Sequence, residues 1–157
     1  MSESEILQRL SDLGLELPPA PVPVASYVPV VEAGGLAFVA GQIPMVDGQQ
    51  LSPGTLGTEV SVSEGHGAAA QAALQTISAL RAGLGTLDRV RRIAQVTVYI
   101  ATAPGFLQHP EVANGASDLL VNAFGEAGRH ARAAVGMASL PRGACVEVAL
   151  TAEIDPA

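Results

Sequence analysis

Charge is what this sequence has least of. Only 15% of its 157 residues are Asp, Glu, Lys or Arg, against about 25% in an ordinary soluble domain. A lone subunit so poor in charge would leave much apolar surface in water. The composition therefore predicts a homo-oligomer that buries a second face of its sheet. Basic residues are the scarcer kind, 8 against 15 acidic ones, giving a formal net charge of −7 with no basic run. Phosphate backbones are held by clustered Lys and Arg, so nucleic acid is not an expected partner. The single cysteine, Cys145, has no second thiol to pair with, which suits a reducing compartment. The acidic start Met1-Ser2-Glu3-Ser4-Glu5 lacks the basic n-region of a signal peptide. No run of about eighteen apolar residues is present to span a bilayer. A cytoplasmic protein without a membrane partner is the expectation.

The chemistry-bearing patterns that are missing exclude several mechanisms. His66, His109 and His130 lie far apart with no His-x-His or Cys-x-x-Cys spacing, so no metal site is expected. Ser117, within Asn114-Gly115-Ala116-Ser117-Asp118, does not fit the Gly-x-Ser-x-Gly elbow and falls in a predicted helix. Gly34-Gly35 and Gly83-Leu84-Gly85 match neither dinucleotide-binding nor P-loop spacing. No repeat or internal boundary breaks the chain, and its length suits one domain over residues 1–157 with one core.

What is present reads in order. Ile6, Leu7, Leu10 and Leu13 recur at helical spacing over residues 3–13, behind Ser2 or Ser4 as a cap. Residues 17–23 hold four prolines and read as an extended connector, so residues 1–24 form a helix and a lead-in. Segments 27–32 and 36–43 flank Gly34-Gly35, a hairpin turn. On the second segment Ala37, Val39 and Gly41 share one face, and Phe38, Ala40 and Gln42 the other. Val46-Asp47-Gly48-Gln49 is a further turn signal. Ser63 is the expected cap of a long helix with Glu64 in its first turn and Ala73, Ile77, Leu80 and Leu84 as its buried stripe. Residues 89–102 form the clearest strand, with Val90, Ala94, Val96, Val98 and Ile100 opposite Ile93, Gln95, Thr97 and Tyr99. Pro110 opens a second helix to about Gly125, burying Val112, Leu119, Leu120 and Phe124. The order predicts an α+β fold, a mixed sheet with two helices on one face.

Residues 132–148 organise the rest. They read as two strands around Leu140-Pro141-Arg142-Gly143. Arg132, Ala134, Gly136 and Ala138 share one face of the first strand. On the second, Val146, Val148 and Leu150 oppose Cys145, Glu147 and Ala149. A guanidinium and a carboxylate rising among small residues have the look of a pocket floor. A structural ion pair or two solvated side chains would give the same pattern.

Here the sequence resembles the RidA/YjgF/UK114 family, also called the L-PSP endoribonuclease family. The resemblance rests on Gly41-Gln42-Ile43-Pro44, Val96-Thr97-Val98-Tyr99, Asn114, Ala131-Arg132, Leu140-Pro141 and Val146-Glu147-Val148, in family order over residues 25–154. It implies a chorismate-mutase-like fold assembled as a homotrimer, with ligand pockets in clefts between subunits. It also implies hydrolysis of reactive enamines and imines, such as 2-aminoacrylate, to 2-oxo acids and ammonia without a cofactor. Arg132 would then grip a small carboxylate or imino-acid ligand through two parallel hydrogen bonds, which Lys could not copy. Glu147 would orient water and shuttle its proton. Amides near Gly41, together with Tyr27 and Asn114, would complete the binding site. Ala40 stands where the family usually has Ser, Ala134 at a small polar or Cys position, and Val28-Pro29 in place of Ser-Gln. A pocket without those groups suits a larger or less polar ligand. His130 is a further candidate pocket residue of this branch, with an exposed loop histidine as the simpler account. The rival readings are a non-catalytic binder of small carboxylate metabolites and, less in keeping with the acidic charge, an endoribonuclease.

Overall fold

The computed structural model describes residues 1–23 and 25–157; Val24, at the end of the predicted lead-in, lies outside the described residues. The chain begins with helix α1, Glu3–Asp12, which Ser2 caps in a reciprocal box with Glu5. Its Ile6 and Leu10 are fully buried. Four-residue β1, Val30–Ala33, pairs antiparallel with β2, Leu36–Gln42. Gly34 and Gly35 both take positive φ, as a two-residue hairpin with the right-handed strand twist requires. A small separate hairpin, β3 (Met45–Val46) and β4 (Gln49–Gln50), turns at Asp47-Gly48.

Helix α2, Val62–Leu84, follows, and its cap corrects the sequence reading. Ser61, not Ser63, accepts the Glu64 amide, and Glu64 reaches back to Ser61, so the signature is Ser-x-x-Glu beginning two residues earlier. The predicted stripe Ala73, Ile77, Leu80 and Leu84 is buried. Strand β5, Val90–Ala101, helix α3, His109–Phe124, strand β6, Ala131–Met137, and strand β7, Val146–Ile154, complete the chain. The five long strands lie in the order β1-β2-β7-β5-β6, with only β5 and β6 parallel. The mixed α+β sheet carries its helices on one face, as predicted. No helix among the described residues is long and apolar enough to cross a membrane.

Strict alternation along β7 sends Val146, Val148, Leu150, Ala152 and Ile154 under the helices. Irregularities in β2 and β5 defeat simple counting elsewhere, the latter with a first shift between Val90 and Arg92. A register shift between Val39 and Gln42 inserts one extra residue into β2. It moves Gln42 to the buried face with Ala37 and Val39, instead of leaving it beside Phe38. A shift between Ile93 and Gln95 in β5 likewise buries Ile93, which alternation had assigned to the other face. Cys145 is also buried, because β7 starts only at Val146 and the residue before it is free to turn inward. The opposite sheet face presents Phe38, Gln95, Thr97, Tyr99, Val135 and Met137; Phe38, Val135 and Met137 are exposed.

Candidate functional site

Register decides where the two predicted catalytic side chains go. Arg132 on β6 lies opposite Val96 on β5, and Val96 lies opposite Leu150 on β7. Directly paired residues share a face, so Arg132 rises on the helix side. Glu147 lies opposite Tyr99, which lies opposite Val135. Its side chain therefore leaves the other face. Within one subunit Arg132 and Glu147 do not share a pocket floor, contrary to the sequence reading. Strand β5 stands between them, and each belongs to a separate cluster.

The Arg132 cluster is built between the edge strand β6 and helix α3. Arg132 Nη1 donates to Asn114 Oδ1 at 2.8 Å and to Ser117 Oγ at 3.1 Å. Asn114 and Ser117 stand one helical turn apart, which puts both on the same flank of α3. Ser117 Oγ lies 3.0 Å from His130 Nε2, and His130 Nδ1 lies 2.6 Å from the Gly128 carbonyl oxygen. A carbonyl only accepts, so Nδ1 carries the proton and neutral Nε2 accepts from the Ser117 hydroxyl. Burial pushes the His130 pKa down, the Gly128 bond opposes that shift, and the nearby Arg132 charge adds to it. His130 is thus a half-buried member of the cluster, not an exposed loop residue. Ala134, two residues along the same face, is partly buried against the hydrophobic core. Among the described residues Arg132 Nη1 spends both hydrogens on protein partners, while Nη2 and Nε make no protein hydrogen bond. That free edge has the two-donor spacing that a carboxylate matches.

The Glu147 cluster lines a cavity of about 980 Å³. Tyr27 lies in a bend ahead of β1 and not on a strand, as the sequence reading had it; it borders this cavity with Ala40, Gly41 and Glu147. The β2 bulge brings Gly41 against the Glu147 side chain so closely that a Cβ would overlap a carboxyl oxygen. Burial alone pushes the Glu147 pKa above the usual carboxylate value. No positive side chain pairs with it among the described residues, so the group is poised to hold a proton more readily than a surface glutamate. Further lining comes from residues 14–19, Pro21 and Val22, from the β3–β4 hairpin and from Leu74 on α2.

Sequence reasoning named Tyr27, Gly41, Asn114, His130, Arg132, Ala134 and Glu147, and the structure sorts them into these two groups. It overlooked Ser117 as the bridge between His130 and Arg132, although Asn114-x-x-Ser117 spacing on a helix carried that signal. It also overlooked the cavity wall formed by the N-terminal segment. Among the described residues no three His, Cys, Asp or Glu side chains gather in a metal-binding arrangement.

Residues 7–154 match the protein family described as "YjgF/chorismate mutase-like, putative endoribonuclease". Protein TCP17 of Trypanosoma cruzi is 43% identical over 156 residues, which span 99% of this chain and 98% of that protein. The crystal structure of Atu1372 from Agrobacterium tumefaciens superposes with a TM-score of 0.92 at 42% identity, covering 98% of this chain and 94% of that one. A "putative endoribonuclease" from Shewanella oneidensis MR-1 also gives 0.92, at 34% identity, with 98% of this chain and all of its own covered.

Proposed function

Because the chain belongs to the YjgF/chorismate mutase-like family, we propose that it hydrolyses 2-imino acids and their enamine tautomers to 2-oxo acids and ammonia. The observation that carries this reading is the Arg132 guanidinium, fixed through Nη1 by Asn114 and Ser117 with its Nη2–Nε edge free. A ligand carboxylate seated on that edge gains two charge-assisted hydrogen bonds from a donor already oriented by protein. The acid–base group is Glu147. Since the two face opposite sides of one sheet, the working site draws Arg132 from one subunit and Glu147, Gly41 and Tyr27 from a neighbour in a homotrimer. The exposed edge strand β6 and the exposed apolar Phe38, Val135 and Met137 favour such an assembly.

Water attacks the imine carbon, and the C=N electron pair moves to nitrogen, which takes the proton held by Glu147. The Glu147 carboxylate then takes a proton from the attacking water. Glu147 then returns that proton to the amino nitrogen of the carbinolamine; the C–N bond breaks as C=O forms, ammonia leaves, and the hydroxyl proton passes to Glu147. A carboxyl pushed towards neutral pH is suited to both transfers. All eight basic residues are arginine, so no lysine side chain is present to form a Schiff base with the substrate. The chemistry calls for no cofactor.

The test is release of ammonia and 2-oxo acid from freshly generated 2-aminoacrylate, comparing wild type with Arg132→Ala. Acceleration by the wild type and none by the variant is the expected result. A wild type that matches the protein-free blank both with this imine and with the larger imine generated from leucine would refute the deaminase reading. Arg132-dependent binding of carboxylates without turnover would then identify a carboxylate binder, and RNA cleavage by nuclease-free protein would identify an endoribonuclease.

A further inference from the structure

We propose that the cavity beside Glu147 is a side-chain pocket, walled by the chain's own proline-rich segment, that selects 2-imino acids bearing a large apolar side chain. The proposal rests on the deaminase reading and gives it a substrate class. At about 980 Å³ the space is at the upper end of small-molecule pockets, far more than the methyl group of an alanine-derived imine would fill. Most of its partly or fully buried wall is apolar: Leu15, Leu17 and Pro18 from the N-terminal segment, Ile43 and Met45 after β2, and Leu74 from α2. The charged lining residues other than Glu147, namely Glu16, Asp47 and Arg142, are exposed at the rim. The three glutamines of the lining turn their Nε2 donors to backbone carbonyls. Gln42 donates to Ala40 at 3.0 Å, while Gln71 and Gln75 donate to Met45 at 2.7 and 3.0 Å and so brace the β3–β4 hairpin.

The N-terminal wall is held in place at both ends. Helix α1 is anchored by buried Ile6 and Leu10. Glu3 accepts the Leu87 amide at 2.8 Å and pairs with Arg81 at 2.7 Å. Further along, Ser78 Oγ donates to the Pro18 carbonyl. Pro18, Pro19 and Pro21 lack backbone N–H groups, so this stretch can face an apolar space with few donors left unsatisfied. The missing polar group at Ala40, which borders the cavity, points the same way.

Each methylene buried in such a pocket contributes about fourfold in affinity. A leucine-derived side chain has three more carbons than alanine's, so a preference of at least about tenfold is expected. Two measurements separate the pocket from the chemistry. Calorimetric titration compares 4-methyl-2-oxopentanoate with pyruvate, and ammonia release compares imines generated from leucine and alanine by an amino-acid oxidase. Both are repeated on Val46→Trp, which fills the cavity from an exposed hairpin position outside the core. Tighter binding of the branched acid, lost in Val46→Trp while pyruvate binding persists, is the expected result. Equal affinities, or indifference to Val46→Trp, would overturn the pocket. Branched-acid preference without ammonia release would uphold the pocket and refute the deaminase reading. Equal turnover of both imines would refute the pocket and leave the deaminase standing.

Discussion

The Arg132 and Glu147 clusters solve opposite problems. Arg132 sits at an exposed sheet edge, where a charge is well solvated, and three side chains in succession fix its direction. Glu147 sits half-buried against a glycine and an apolar cavity, with no cation to steady it. The first cluster is ordered but solvent-exposed, and the second is largely apolar, with its one lining cation, Arg142, exposed and unpaired with Glu147. In the proposed deaminase, binding energy and proton chemistry are thus separated onto two faces of one sheet, and an assembly of subunits would have to bring them together. Such a split site would make function depend on the interface, and would account for a sheet face left partly apolar.

The largest effect comes from breaking that complementarity. Arg132→Ala and Glu147→Gln are each expected to lower turnover by about a hundredfold or more, since each removes a charged hydrogen-bonding partner or the proton carrier. Unfolded and refolded together in equal amounts, the two variants place an intact Arg132 against an intact Glu147 in about a quarter of the interfaces of a cyclic assembly. Ammonia release by the mixture at about that fraction of wild type would establish a site shared between subunits. A mixture as silent as its parents would place both groups' roles within one chain, or elsewhere.

Glu147→Gln also separates stability from activity. The folded-state pKa is raised, so between the ordinary carboxylate value and the raised one the native protein binds more protons than the unfolded chain. Stability therefore falls as pH rises through that window, and at pH 7 the ionised buried group costs stability. The inactive glutamine variant is expected to melt above wild type at pH 7, with the gap closing below the ordinary carboxylate range. A variant that melts lower at pH 7 would mean that the carboxylate has a stabilising partner. A smaller change, about tenfold in turnover, is expected for Gly41→Ala. The new methyl displaces only the flexible end of Glu147, so the melting temperature should hardly move while activity falls. Unchanged activity would show that the carboxyl need not sit against Gly41.

How much of this could be read from residues alone follows from periodicity. The layered α+β order was legible because β7 alternates without interruption and because α2 and α3 carry clean apolar stripes between sharp stops. Also legible were the residues that the structure sorts into the two clusters, through Gly41-Gln42-Ile43-Pro44, Arg132 and Glu147. Their grouping was not. Parity within β6 and within β7 says which neighbours share a face, but only the pairing register across β5 says how the two parities relate. The bulges at Ala40-Gly41 and near Ile93 add single residues that no alternation pattern announces, which is why Gln42 and Ile93 changed sides. Ser117 was set aside for failing a nucleophile motif, yet its role needs only a helical turn from Asn114 and a histidine that folds back.

That histidine supplies the smallest predicted effect and the sharpest test of order in the Arg132 cluster. Neutral His130 accepts the Ser117 hydroxyl, so the Ser117 oxygen is left to accept from Arg132. A second proton on the ring would turn Nε2 into a donor, reverse the serine hydroxyl and weaken the hold on Arg132. The folded-state pKa is lowered by burial and by Arg132, so below the ordinary histidine value of about 6.5 the unfolded chain binds more protons. Stability is fully present above that value and is lost as pH falls towards the folded pKa. His130→Gln removes the titration. Its melting temperature should change less between pH 7 and pH 5 than that of wild type, and turnover at pH 7 should fall only a few-fold because Asn114 still holds the guanidinium. Equal pH slopes for the two proteins would mean that His130 titrates alike folded and unfolded, and that the relay from Gly128 to Arg132 does not depend on a neutral ring.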